Sequence, residues 1–73
     1  MKITTTDYMR VFSARFKQAM EPFSYKAVAA DTGVSVALLY RYASGKALPT
    51  AFTLAKIIAA TGIDANALLG VRS

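Results

Sequence analysis

Cations and hydroxyls, rather than acids, thiols or imidazoles, are the groups in this sequence with chemistry to offer. The four carboxylates, Asp7, Glu21, Asp31 and Asp64, are scattered along the chain. Three of them fall near expected helix ends, where capping or interaction with the helix dipole accounts for them. There is no cysteine and no histidine, hence no thiolate nucleophile, no disulfide framework and no His/Cys metal site. An enzyme is the least favoured class on these residues, and no cofactor is expected.

Nine Lys and Arg against four Asp and Glu leave a net charge of +5 and a pI of about 9.9. That balance draws the molecule toward polyanions, whether DNA, RNA or an anionic membrane surface, and charge alone does not choose among them. No apolar stretch approaches the roughly eighteen residues that a membrane span needs. The N-terminal Met1-Lys2-Ile3-Thr4-Thr5-Thr6 lacks the hydrophobic region of a signal peptide, so a soluble chain that does not enter the membrane is expected.

Seventy-three residues suit one domain with one economical core, residues 1–73, and no linker, low-complexity segment or internal repeat suggests a boundary. Hydrophobic residues make up 55%, with fourteen alanines among them, which favours closely packed helices over a sheet. Five helices are expected. The first runs from Thr6 to Met20, capped by Thr5 or Thr6, with Tyr8, Met9, Phe12, Phe16, Ala19 and Met20 at helical spacing and a stop before Pro22. Ser24 caps a short second helix, Tyr25 to Thr32, and Gly33 closes it in the left-handed conformation. Val34 turns inward, and Ser35 caps a third helix reaching about Ser44. After the loop Gly45-Lys46-Ala47-Leu48-Pro49, Thr50 caps a fourth helix whose Phe52, Leu54, Ala55, Ile57, Ile58 and Thr61 are expected to supply core contacts. Gly62 ends it. Asp64 caps a last helix, Ala65 to Leu69, ended by Gly70. If Val34, Leu39 and Tyr42 face inward, helical geometry gathers Ala37, Tyr40, Arg41 and Ser44 on the far side of the third helix, with Val36 projecting from its first turn.

The stretch from Tyr25 to Gly45 meets the steric needs of two helices crossing at a tight turn. Ala29 lets the helices approach, Gly33 sits in the turn, and Leu39 and Tyr42 plug the core. Ala29, Gly33, Leu39, Gly45-Lys46 and Pro49 follow in order the pattern of the Cro/repressor (XRE-type) helix-turn-helix family, and the chain resembles that family over roughly residues 7 to 70. The closing segment, Leu54 to Leu69, also looks like the family's ending. Two positions depart from the pattern: Ala43, where many relatives carry glutamate, and Tyr25, where a glutamine usually meets phosphate. The resemblance implies an all-α, compact five-helix, lambda-repressor-like DNA-binding domain, its helix-turn-helix at residues 25–44. Its third helix would lie in the major groove while the second crosses the backbone.

Carried onto this sequence, that arrangement assigns base contacts to Val36, Ala37, Tyr40 and Arg41. A guanidinium at Arg41 can bond guanine O6 and N7 together, discriminating by roughly 1–3 kcal/mol, and Val36 and Ala37 can meet thymine methyl groups. The bland alternatives are a phosphate-bound or solvated Arg41, a Val36 packed in the core, and a Tyr40 that is core like its neighbour Tyr42. Backbone contacts fall to Ser24, Tyr25 and Lys26 at the positive end of the second helix, to Ser35 and Ser44, and to Lys46 beside Gly45. Ser24 can equally be a simple cap, and Lys46 a solvated loop lysine. Arg10, Arg15, Lys17 and Lys56 would add field strength only.

The function implied is that of a sequence-specific regulator, a phage-type or bacterial repressor, whose partner is double-stranded operator DNA in the cytoplasm of a bacterial or phage-infected cell. A DNA-binding antitoxin with a protein partner, or a protein-interaction module on the same scaffold, are the alternatives. Half-site readers of this kind act as two-fold pairs, about 34 Å apart on DNA, so a homodimer is expected through Ile63, Ala67, Leu68 and Val71. The alternative for that segment is that it closes the monomer's own core.

Overall fold

The computed structural model describes residues 5–69, with side chains from Asp7 onward. It contains five helices in the order α1 (Thr5–Met20), α2 (Tyr25–Thr32), α3 (Val36–Ala43), α4 (Ala51–Thr61) and α5 (Ala65–Leu69), and no strand among the described residues. The boundaries follow from residues whose own side chains or backbone stop or start a helix. The Ser24 hydroxyl accepts from the Ala27 N–H at 3.3 Å, Ser35 from Leu38 at 3.1 Å, and Thr50 from Thr53 at 3.2 Å. Each satisfies a donor that has no partner inside its helix. Thr5 and Thr6 both lie within α1. Ser44 is the cap that follows α3 and not its last helical residue. The expected stop at Gly70 lies outside the described residues.

One turn design is used twice. After α2, Gly33 takes φ 77°, while the Thr32 hydroxyl donates to the Val28 carbonyl at 2.7 Å and accepts from the Val34 N–H at 3.1 Å. After α4, Gly62 takes φ 75°, and Thr61 bonds the Ile57 carbonyl at 2.7 Å and the Ile63 N–H at 3.2 Å. Thr-Gly-aliphatic followed by a capping residue therefore recurs as Thr32-Gly33-Val34-Ser35 and Thr61-Gly62-Ile63-Asp64. Asp64 does cap, its carboxylate accepting from the Asn66 N–H at 3.1 Å. The glycine reverses the chain, the threonine satisfies the donor exposed by the reversal, and the aliphatic residue re-enters the interior.

Packing places α1 against α3 and α5, and α2 against α3 and α4. Phe12, Phe16, Met20, Val28, Val34, Leu39, Tyr42, Ile57 and Leu68 form the buried core. Phe16 is its aromatic centre, stacked on Phe12 at 5.6 Å and edge-on to Tyr42 at 5.9 Å, both favourable ring arrangements. Tyr42 on α3 is thereby locked to α1. The expectation for α4 is half corrected. Leu54, Ile57 and Ile58 pack inward, but Phe52 is 72% exposed and Ala55 is also exposed. The cause is helical phase: Phe52 lies about 140° and Ala55 about 160° around the helix from Ile57. With Ile57 facing the core, both must face out.

Candidate nucleic-acid interface

Leu39 and Tyr42, both buried, orient α3 and leave Ala37, Tyr40, Arg41 and Ser44 exposed on its opposite side, as the sequence predicted. Val36 is half-buried at the first turn. Tyr40 is not core: it is 57% exposed. Arg41 is exposed and makes no ion pair with any described residue. Its carbonyl accepts from the Ser44 hydroxyl at 3.2 Å and from the Lys46 N–H at 2.9 Å.

That last bond joins the loop to the helix. Gly45 at φ 79° turns the chain so that Lys46, exposed, is tied back to Arg41. The turn also runs close to α1, because a methyl at Gly45 would stand 3.3 Å from the Ser13 hydroxyl. A side chain at position 45 would therefore meet both backbone strain and a neighbour.

The opposite flank is joined to α3 by an aromatic contact that the sequence reading did not anticipate. The Tyr25 ring at the start of α2 stacks on Tyr40, with centroids 4.4 Å apart and planes within 11°. Tyr25 is half-buried and packs against core residues. Burial first, and the neighbouring Tyr40 second, push its phenol above 10.0. The sequence signal was present, since residues 25 and 40 are both tyrosine, but their meeting depends on how α2 crosses α3. Ser24 and Lys26 on either side of Tyr25 are exposed, and Ser24 serves as the α2 cap while keeping its outer surface open. Ser35, exposed, likewise caps α3. All ten residues assigned to base or backbone contact thus lie on α3 or on the segments fastened to it.

The segment expected to pair two copies behaves differently. Leu68 is wholly buried, so its side chain closes the chain's own core and is not available to a second copy. Ile63 is half-buried against the same core. Ala67 is exposed, its carbonyl accepting from the Arg15 guanidinium at 3.4 Å, and Val71 lies outside the described residues. Of the other cations, Arg10 is paired with Asp7 at 2.7 Å on the α1 surface, and Lys56 lies over the exposed Phe52 ring at 4.8 Å.

A helix-turn-helix family model matches residues 17–68, from the second half of α1 to α5. The chain belongs to the Cro/repressor (XRE-type) helix-turn-helix family. Comparison with curated proteins and with solved structures gives no match. The family is one of DNA-binding regulatory domains, and the five-helix architecture agrees with that membership. Among the described residues no helix is long and apolar enough to cross a membrane.

Proposed function

We propose that this chain is a sequence-specific transcriptional repressor that lays α3 in the major groove of double-stranded operator DNA. The observation that carries this is the exposed side of α3, where Arg41 is unpaired among the described residues and flanked by Ala37, Tyr40 and Ser44. A guanidinium so placed can bond guanine O6 and N7 together. Ser24, Lys26 and Lys46 then meet phosphates on either side. Ser24 and Lys26 do so at the positive end of α2, and Lys46 beside a glycine that allows close approach.

The protein acts as a two-fold pair on its operator, because one eight-residue α3 reads too few bases to specify a site. With Leu68 committed to the core, Ala67 and the open part of Ile63 are, of the described residues in the expected pairing segment, the ones left to meet a partner. Selection of bound sequences from random DNA tests the whole proposal. A preferred sequence with two half-sites supports it, and recovery of no preferred sequence overturns it. A second reading, an antitoxin that also binds a protein, is favoured by one feature, the exposed Phe52 on α4 outside the α3 surface. Co-purification with a toxin would establish it.

A further inference from the structure

Tyr40 is more than half exposed, and an exposed tyrosine ordinarily exchanges rotamers freely. Here its ring is held parallel to Tyr25 at 4.4 Å. Tyr25 is itself half-buried against core residues, so the ring beneath Tyr40 is anchored. On α3, Val36 and Ala37 lie one turn before Tyr40, at the spacings that put helix residues side by side. Val36 is half-buried and Ala37 exposed. The three make an aliphatic and aromatic surface next to Arg41, and the stack has fixed its one flexible member in advance.

We propose that Tyr25 is a positioning residue for base reading: it fixes the Tyr40 ring so that Val36, Ala37 and Tyr40 form a preset apolar wall for the 5-methyl group of a thymine. This rests on the operator-binding function proposed above. The chemistry fits thymine because its methyl is the one apolar group that a base edge offers in the major groove. Fixing the ring before binding removes the ordering cost that a free aromatic side chain would incur at the interface. The role expected from the family for residue 25, a side-chain bond to phosphate, is replaced by one that acts through the ring.

The test uses the full chain and an operator selected from random DNA, with each thymine exchanged in turn for deoxyuracil, which lacks only the methyl. For the unmodified protein, one thymine per half-site should show binding about four-fold weaker on exchange, the worth of one buried carbon. Tyr25→Leu, which keeps an apolar group in the half-buried position but removes the stack, should bring that ratio close to one. Tyr25→Phe, which keeps the ring and loses only the hydroxyl, should retain it. Tyr40→Ala should abolish the ratio, and adding Tyr25→Leu to it should change nothing further, since Tyr25 acts through Tyr40. Helical circular dichroism of each variant confirms the fold. Neutral exchange at every thymine of a well-bound operator overturns the inference alone. So does a Tyr25→Phe variant that loses as much discrimination as Tyr25→Leu, because the hydroxyl would then be the active group. A selection that yields no preferred sequence overturns the operator-binding function instead, and this inference with it.

Discussion

Tyr25 and Tyr40 stack across the junction of α2 and α3, 4.4 Å between centroids and 11° from parallel, and the contact has a thermodynamic signature. The Tyr25 phenol is raised above 10.0 by burial and then by Tyr40, so folding favours its neutral form. Stability from this group is complete below 10.0, the unfolded value, and is lost as pH rises through the higher folded value. Tyr25→Phe, which cannot ionise, should therefore lose stability less steeply than the parent across that interval. Denaturant midpoints measured on both sides of pH 10.0 check this, and parallel curves for the two proteins would contradict it. Tyr42, raised by burial, should give the same sign with Tyr42→Phe.

Arg41 is the exposed cation at the centre of the α3 surface. Arg41→Ala should weaken binding to the selected operator by roughly five-fold to 150-fold, from a bidentate contact of about 1–3 kcal/mol, and relax preference at one base position. Because the side chain is exposed and unpaired among the described residues, thermal stability should stay close to the parent's. A base-preference profile that the mutation leaves unchanged would reduce Arg41 to a phosphate contact.

The helix ends were legible in the sequence because they are local. Ser24, Ser35 and Thr50 cap by reaching their own backbone three residues on, and Gly33 and Gly62 close helices through a conformation that other residues rarely take. The inward pair Leu39 and Tyr42 was legible because one phase of α3 satisfies both, and Val34 because the turn after Gly33 carries it back to the interior. What was not legible depended on facing surfaces. Phe52 is apolar on a helix that is apolar nearly all round, so composition assigned it inward, and only the placement of Ile57 turned it out. Leu68 had the right type for an interface or a core, and α1 decided for the core. The Tyr25 and Tyr40 contact joins residues fifteen apart in the chain, and no periodicity within one helix encodes it.

Lys46 is exposed and held to α3 through its own backbone N–H. As a phosphate contact it should act on any DNA sequence. Lys46→Ala should weaken selected and random DNA by similar factors and lower the slope of log affinity against log salt by about one. Titrations across a range of salt concentrations read this directly. A variant with the parent's slope would remove Lys46 from the interface.

Gly33 and Gly45 separate two costs of a side chain at positive φ. At Gly33, φ 77°, a methyl would meet no atom within 4 Å, so Gly33→Ala should cost only the backbone strain, about 1–2 kcal/mol. At Gly45, φ 79°, the methyl would also come within 3.3 Å of the Ser13 hydroxyl, which is engaged with the Arg10 carbonyl at 3.0 Å. Gly45→Ala should therefore be the more destabilising. Combining it with Ser13→Ala should recover the difference, and a double variant no more stable than Gly45→Ala would show that contact with Ser13 is not the cause.

Thr32 holds the turn between α2 and α3 from inside. Its buried hydroxyl donates to the Val28 carbonyl at 2.7 Å and accepts from the Val34 N–H at 3.1 Å, while Val34 itself is buried. Thr32→Val keeps the shape but leaves that N–H without a partner, a loss of about 1–3 kcal/mol. Thr32→Ser keeps the hydroxyl and should retain most of the stability, less the worth of one methyl. Thr61 makes the same pair of bonds in a part-buried setting, where water can replace the lost partner, so Thr61→Val should cost less than Thr32→Val. Chemical denaturation of the three variants orders them, and equal losses at positions 32 and 61 would mean that burial of the turn does not set the cost.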